Sequence, residues 1–405
     1  MELFPTEQEE KVDLIEEILS ITSEAESPRS WILWAAISSI SASIGRNVFL
    51  NMGGVYTIFP NLYIMLVGDS GLRKSFPVSI VKTLVESTKN TRILGGRNTI
   101  QAMITTLSKA YTTPEGSIIK EGKACIVSEE FGLVLVDDPH AQIILTDWYD
   151  TGREWWTNET KISGSERIYR PYITLFGASN QTHLRIAIQK SSITGGLVGR
   201  TLFIEETKRH RHNPLTKPAD PIDYSRAINA LLDITQVKGQ MMFAPSAESL
   251  FIEFYEDLGK KMEEGSDTTG TANRLHVQVL KVSMILSLSK RHNLILERDD
   301  IEGGIKACLE FSGSKLWAGS GVSEDSLKIT LLMQSLRKAP NGELEVTSIL
   351  QKHYGDFSSN DLGRMAQTMI DSGLVESSKK NGRAAYKISE LGREFLLAVD
   401  NRKEV

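Results

Sequence analysis

The chain has 405 residues, 40% of them hydrophobic and 24% charged, which is long enough for two or three domains and free of the low-complexity tracts of a disordered protein. A net charge of −5 excludes a globally cationic nucleic-acid surface, so any such partner must be met by local basic patches or a positively lined pore. The two cysteines, Cys125 and Cys308, sit in apolar stretches without C-x-x-C spacing, which speaks for buried free thiols in a reducing compartment and against zinc.

Residues 6–21 alternate acidic and apolar positions at helical spacing, and SPRSWILWAAISSISASIG predicts a second helix with Ser27 as N-cap and Pro28 at its first position. Its apolar run, 31–44, is too short to cross a bilayer and carries several serines. No signal peptide is read at the N-terminus, so a cytoplasmic protein without a membrane partner is expected. Residues 46–59 read as a strand pair turning at Gly53 and Gly54.

The next stretch, PNLYIMLVGDSGLRKSF (60–76), is an apolar run, a glycine turn and then Lys74-Ser75 opening a helix. It has the grammar of a P-loop, in which backbone N–H groups cradle phosphates, a lysine reaches the β and γ phosphates and a Ser or Thr ligates Mg²⁺. The candidate loop is Gly68, Asp69, Ser70, Gly71, Leu72, Arg73, Lys74 and Ser75. The usual glycine before the lysine is Arg73 here. Context supports the reading, because 62–67 forms a buried-strand run and PVSIVKTLV has helical spacing.

A helix is predicted over 97–111, with Asn98 or Thr99 as cap. KACIVSEEFGLVL (123–135) is then a buried strand that presents two acids. Enzymes of this kind need one acid to hold Mg²⁺ and often another to activate water, and Glu129 is assigned to the metal and Glu130 to the water. Residues 153–172 read as a hairpin around Ser163-Gly164, with Trp155 and Trp156 as core anchors and Lys161 near the tip. ITLFGASNQ (173–181) is a further buried strand ending at Asn180, and SSITGGLVGRTLFIEE (191–206) is a glycine-rich turn, Arg200 and an edge strand. The run 208–221 reads as a solvated linker, with contact of its four basic or titratable residues to phosphate as the alternative. Helices near 222–234, 246–264, 271–291 and 298–316 make an all-α unit, with Arg274 on the first turn of the third. The tail, 325–400, orders three helices, a two-stranded basic hairpin and a last helix, the sequence of a winged helix. DNA contacts there would come from Lys379, Lys380 and Arg383 in the wing and from Arg364 in the third helix.

SPRSWILWAAISSISASIGR, PNLYIMLVGDSGLRKS, IVSEEFG, WYDTG (148–152) and GGLVGR, in that order, resemble a largely uncharacterised family of P-loop proteins carried by phages, prophages and plasmids. The likeness covers roughly 27–206, and in that family too the lysine often follows an arginine. The hairpin before a sensor strand, the arginine after it, the helical lid and the terminal winged helix also resemble AAA+ replicative helicases of the minichromosome maintenance type. The resemblance implies an α/β P-loop NTPase with an N-terminal helical layer and strand pair (1–60), an AAA+-like core (61–210), an α-helical lid (222–320) and a winged helix (325–400). It further implies Asn180 as sensor 1, Arg200 as arginine finger, Arg274 as sensor 2 and Lys161 as pore-hairpin residue. The function expected is an ATP- and Mg²⁺-dependent, ring-forming and hexameric DNA translocase or helicase of mobile-element replication, working with other replication proteins. Two alternatives stand beside it: an ATP-switched initiator or helicase loader that does not unwind, and a P-loop kinase of a small molecule.

Overall fold

The computed structural model describes residues 11–95, 98–109, 111–112, 118–119, 121–131, 141–150, 152–160, 164–180, 184, 196–213, 221–264, 272–311, 324–354 and 358–401. Contacts divide the chain into two compact units, residues 1–313 and 314–405.

The first unit is α/β. After helices α1 (Leu14–Ile21) and α2 (Arg29–Ile44), strands β1 (Val48–Met52) and β2 (Tyr56–Ile58) pair antiparallel across the expected glycine turn. The central sheet takes β3 (Tyr63–Val67), β4 (Arg92–Gly95), β7 (Glu121–Ser128), β9 (Gly164–Ser179) and β10 (Thr201–Glu205), after the short pair β5 (Tyr111–Thr112) and β6 (Ile118–Ile119). Its spatial order is β10-β3-β9-β7-β4, all parallel, with β8 (Trp155–Thr160) added antiparallel to β9. All five residues of β3 are buried, as a strand covered on both faces requires. Helices α3 (Ser75–Ser87), α4 (Ile100–Leu107) and α5 (Ala141–Tyr149) pack on the sheet between its strands in sequence.

Helix α2 is the centre of the core. Thirteen of its 16 residues are buried, so it is apolar all round and neither a surface helix nor a membrane span. Among the described residues no helix is long and apolar enough to cross a membrane. Ser41 serves the buried backbone: its Oγ donates to the Pro60 carbonyl at 2.7 Å and accepts from the Leu62 N–H at 3.0 Å, fixing the entry into β3. Ser27 is not the N-cap. Pro28 holds that position without a side-chain cap bond, because the Ser27 hydroxyl donates to the Arg73 carbonyl at 2.9 Å.

Helices α6 (Ser225–Gln236), α7 (Pro245–Glu264), α8 (Ala272–Arg291) and α9 (Arg298–Phe311) follow the expected helical stretch. Leu231, Val279, Leu280 and Ile301 from them join one hydrophobic cluster with Trp31, Ile64 and Ile204, so these helices share the core of the sheet. Three short strands missed by periodicity tie them in: β11 (Gly239–Gln240) runs parallel to β1, and β12 (Met242–Phe243) parallel to β13 (Ile295–Leu296).

The second unit has helices α10 (Glu324–Lys338), α11 (Val346–Lys352) and α12 (Ser359–Asp371), then α13 (Glu390–Asn401). Its sheet orders β14 (Glu343–Glu345), β16 (Arg383–Ile388) and β15 (Val375–Lys380), all antiparallel, over a core that includes Leu336, Ile349, Met365 and Ile388.

Candidate functional site

Register brings the predicted residues of the loop, the acids and Asn180 to one end of the sheet. Val67 lies level with Ser179 on one side and Glu205 on the other, while Ser128 pairs with Gly177. The Gly68–Ser75 segment, Glu129, Glu130 and Asn180 therefore all follow the carboxyl ends of neighbouring strands. Strands are about 4.8 Å apart, so the acids after β7 stand roughly 10 Å across from the segment after β3. From β3 the chain crosses to β4 at one edge and finally returns to β10 on the other side of β3, which makes this the switch point where open α/β sheets bind ligands.

Backbone chemistry shapes the segment. The Gly68 N–H donates to the Ser179 carbonyl at 3.3 Å, and a Cβ on Gly68 would stand 2.7 Å from the Glu206 carbonyl and 3.0 Å from the Trp31 ring, so only glycine fits. Gly71 and Arg73 both have positive φ, 92° and 64°. Lys74 Nζ donates to the Gly68 carbonyl at 2.6 Å, with those of Asp69 and Ser179 at 3.4 and 3.5 Å. Burial pushes the Lys74 ammonium below its ordinary value, and the carboxylates of Glu130 and Asp69 oppose this through space. Helix α3 begins at Ser75 with no side-chain cap; in its first turn the Phe76 N–H already donates to the Arg73 carbonyl at 3.2 Å and Pro77 has no N–H to give.

A clamp of charges not anticipated from the sequence holds the segment. Glu26 pairs with Arg73 Nε at 2.6 Å and with Arg209 at 3.2 Å, and accepts from the Asn213 N–H at 3.1 Å. Those hydrogen bonds, to Asn213 first and Arg73 next, pull its carboxyl down to about 2. Arg209 also donates to the Gly71 carbonyl at 2.9 Å, and Arg211 pairs with Glu24 at 2.5 Å. Arg209, Arg211 and Asn213 are thus held by ion pairs and hydrogen bonds and are not a solvated linker, while residues 214–220 of the run 208–221 lie outside the described residues. The basic residues of that run were the available signal, and they pointed to phosphate and not to the Glu26 and Glu24 carboxylates that Arg209 and Arg211 meet.

Glu129 and Glu130 are exposed just past β7, and Ser75 is exposed at the start of α3. A hydroxyl and a carboxylate fit Mg²⁺, which takes few protein ligands and completes its shell with phosphate and water. Among the described residues no cluster of three or more His, Cys, Asp or Glu side chains offers a cage for a more demanding metal.

Arg200 and Arg274 stand elsewhere. Arg200 precedes Thr201, which pairs with Tyr63, so it lies at the amino end of the sheet, and it is 6% exposed and ion-paired with Asp150. Arg274 lies 4.0 Å from the same Asp150. Within one chain the sheet separates this pair from the Lys74 segment, so the structure does not join Arg274 to the loop in the way a shared nucleotide pocket would require. Lys161 lies outside the described residues. Of the two tryptophans beside it in the hairpin, Trp156 is buried and packs against Trp148, while Trp155 is 52% exposed. In the second unit Lys379 is exposed, Lys380 donates to the Glu343 carbonyl at 3.0 Å, Arg383 faces Glu345 at 3.6 Å and Arg364 faces Asp361 at 3.5 Å.

In comparisons with known proteins, no family model and no curated protein matches the chain.

Proposed function

We propose that the chain binds ATP on the segment between β3 and α3 and hydrolyses it with Mg²⁺, as the P-loop, AAA+-like motor of a ring-forming, hexameric DNA translocase or helicase of mobile-element replication. The observation that carries this reading is the position of Lys74: its ammonium sits among carbonyls at the switch point, with Glu130 across the crevice. The N–H groups of the segment and Lys74 would take up the charge of the β and γ phosphates. Ser75 and Glu129 would hold Mg²⁺, which supplies charge neutralisation at the transferred phosphoryl group. Glu130 would accept the proton of the attacking water, and Asn180 would orient that water or the γ-phosphate. The second unit would serve as a winged helix on DNA or on another replication protein.

Arg200 belongs to this scheme only across an interface, where it would meet phosphate on a second copy. One observation favours the slower alternative, an ATP-switched initiator or loader: Arg200 is buried and already paired with Asp150 within its own chain, so engagement would need a rearrangement.

The test is hydrolysis by two variants. Glu130→Gln should retain ATP and Mg²⁺ while turnover falls by about 10²-fold or more, as expected when only general-base chemistry is lost. A trapped phenotype in Glu129→Gln with normal turnover in Glu130→Gln would exchange the two roles.

A further inference from the structure

At the amino end of the sheet, remote from Lys74, a cleft of about 540 Å³ is walled by Val55, Tyr56, Tyr149, Asp150, Arg274 and Lys281. That volume suits a small molecule. Its chemistry is unbalanced. Lys281 is 4% exposed, donates to Asn61 Oδ1 at 2.7 Å and to the Asn61 carbonyl at 3.0 Å, and lies 3.7 Å over the Tyr149 ring. Arg274 reaches Asp150 only at 4.0 Å, and Arg200 approaches the same carboxylate from behind the wall. Two arginines thus share one carboxylate, with the Lys281 amine near enough to feel its charge, and that carboxylate is 53% exposed. The buried Tyr149 hydroxyl and Arg200 Nε have no hydrogen-bond partner among the described residues. Val55 and Tyr56, 84% and 46% exposed, add apolar surface to the lining.

We propose that this cleft is a second ligand site, taking a small phosphorylated molecule whose phosphoryl group binds Arg274 and Lys281 and whose organic part lies on Val55 and Tyr56. Asp150 is then a displaceable counter-ion: with no ligand it holds the arginines, and an entering dianion takes its place. A phosphoryl group suits the surplus better than a carboxylate, since the two arginines alone leave one positive charge over on Asp150, a bound anion would favour the ammonium form of Lys281 as a second, and arginine matches phosphoryl oxygens bidentately. The site stands independently of the Lys74 reading.

The experiment titrates inorganic pyrophosphate by calorimetry into the full chain carrying Lys74→Ala, which silences the other candidate site. Saturable binding is expected to remain. Adding Arg274→Gln should weaken it about tenfold or more, the loss of a hydrogen bond between charged groups. Adding Asp150→Asn should tighten it severalfold, because the competing carboxylate is gone. Both side chains are partly exposed, and unchanged melting of each variant checks the fold. No binding in the Lys74→Ala chain, equal affinity in all variants, or weaker binding by Asp150→Asn would overturn the proposal. So would binding seen only in assembled species and lost on dilution, which would assign the charges to an interface. Failure of the ATP reading shows separately, as ATP affinity unaffected by Lys74→Ala.

Discussion

Arg73 stands where the usual loop pattern has glycine, and its backbone adopts the left-handed conformation that glycine would take freely. For a residue with a Cβ that conformation costs about 1–2 kcal/mol. Here the Glu26 carboxylate on its guanidinium and the Ser27 hydroxyl on its carbonyl hold it in place. The two effects oppose, so Arg73→Gly should change stability by less than about 1 kcal/mol, whereas Arg73→Val, β-branched and unpaired, should lose about 2 kcal/mol or more. Urea unfolding of both variants measures this, and equal loss in the two would show that the ion pair, not the backbone, is what matters. The sequence showed the departure from pattern, but its compensation depends on Glu26, 47 residues away, which no local rule connects to it.

At the scale of elements, the strand–loop–helix unit was legible because β3 is a continuous apolar run and α3 begins at a lysine-serine pair. The acids after β7 and the end of β9 were legible for the same reason: buried parallel strands announce themselves by composition. The two-residue strands β11, β12 and β13 were not, since they are too short to show a period of two. The Ser27 cap was misassigned because a serine before Pro28 satisfies the local rule, while its hydroxyl is claimed by a residue 46 positions on. The meeting of Asp150, Arg200, Arg274 and Lys281 also lay beyond local pattern, although Asp150 falls within the WYDTG segment. Gly68 brings the segment into close backbone contact with Glu206. Gly68→Ala should force the segment off the Glu206 carbonyl, cost about 1–3 kcal/mol and abolish ATP binding. Full ATP affinity in that variant would mean that the close approach of backbone at Gly68 is not what shapes the site.

For the whole molecule, two buried lysines set a pH dependence. Burial pushes Lys123 and Lys281 down to about 7, well below the ordinary lysine value. Above that pH the folded chain leaves them neutral while the unfolded chain still protonates them, so the unfolded state binds more protons and stability rises with pH. The window closes near pH 8.5, where unfolded thiols begin to ionise while burial holds the Cys125 thiol up to about 12, and this acts in the opposite sense. The denaturation midpoint should therefore climb between pH 7 and 8.5, and Lys123→Met should flatten the climb; an unchanged slope would mean that Lys123 is charged in the folded state. Assembly is tested by mixing Arg200→Ala with Glu130→Gln: partial return of hydrolysis in exchanging preparations is expected if the arginine acts across an interface. The central claim, that nucleotide binds at the carboxyl end of β3, is tested most directly by calorimetric titration of ATP with Mg²⁺ into the parent chain and into Lys74→Ala. The parent should bind one nucleotide per chain, and the variant should bind at least about a hundredfold more weakly, since it lacks the ammonium that meets the phosphates. Equal affinity in the two proteins would contradict the claim.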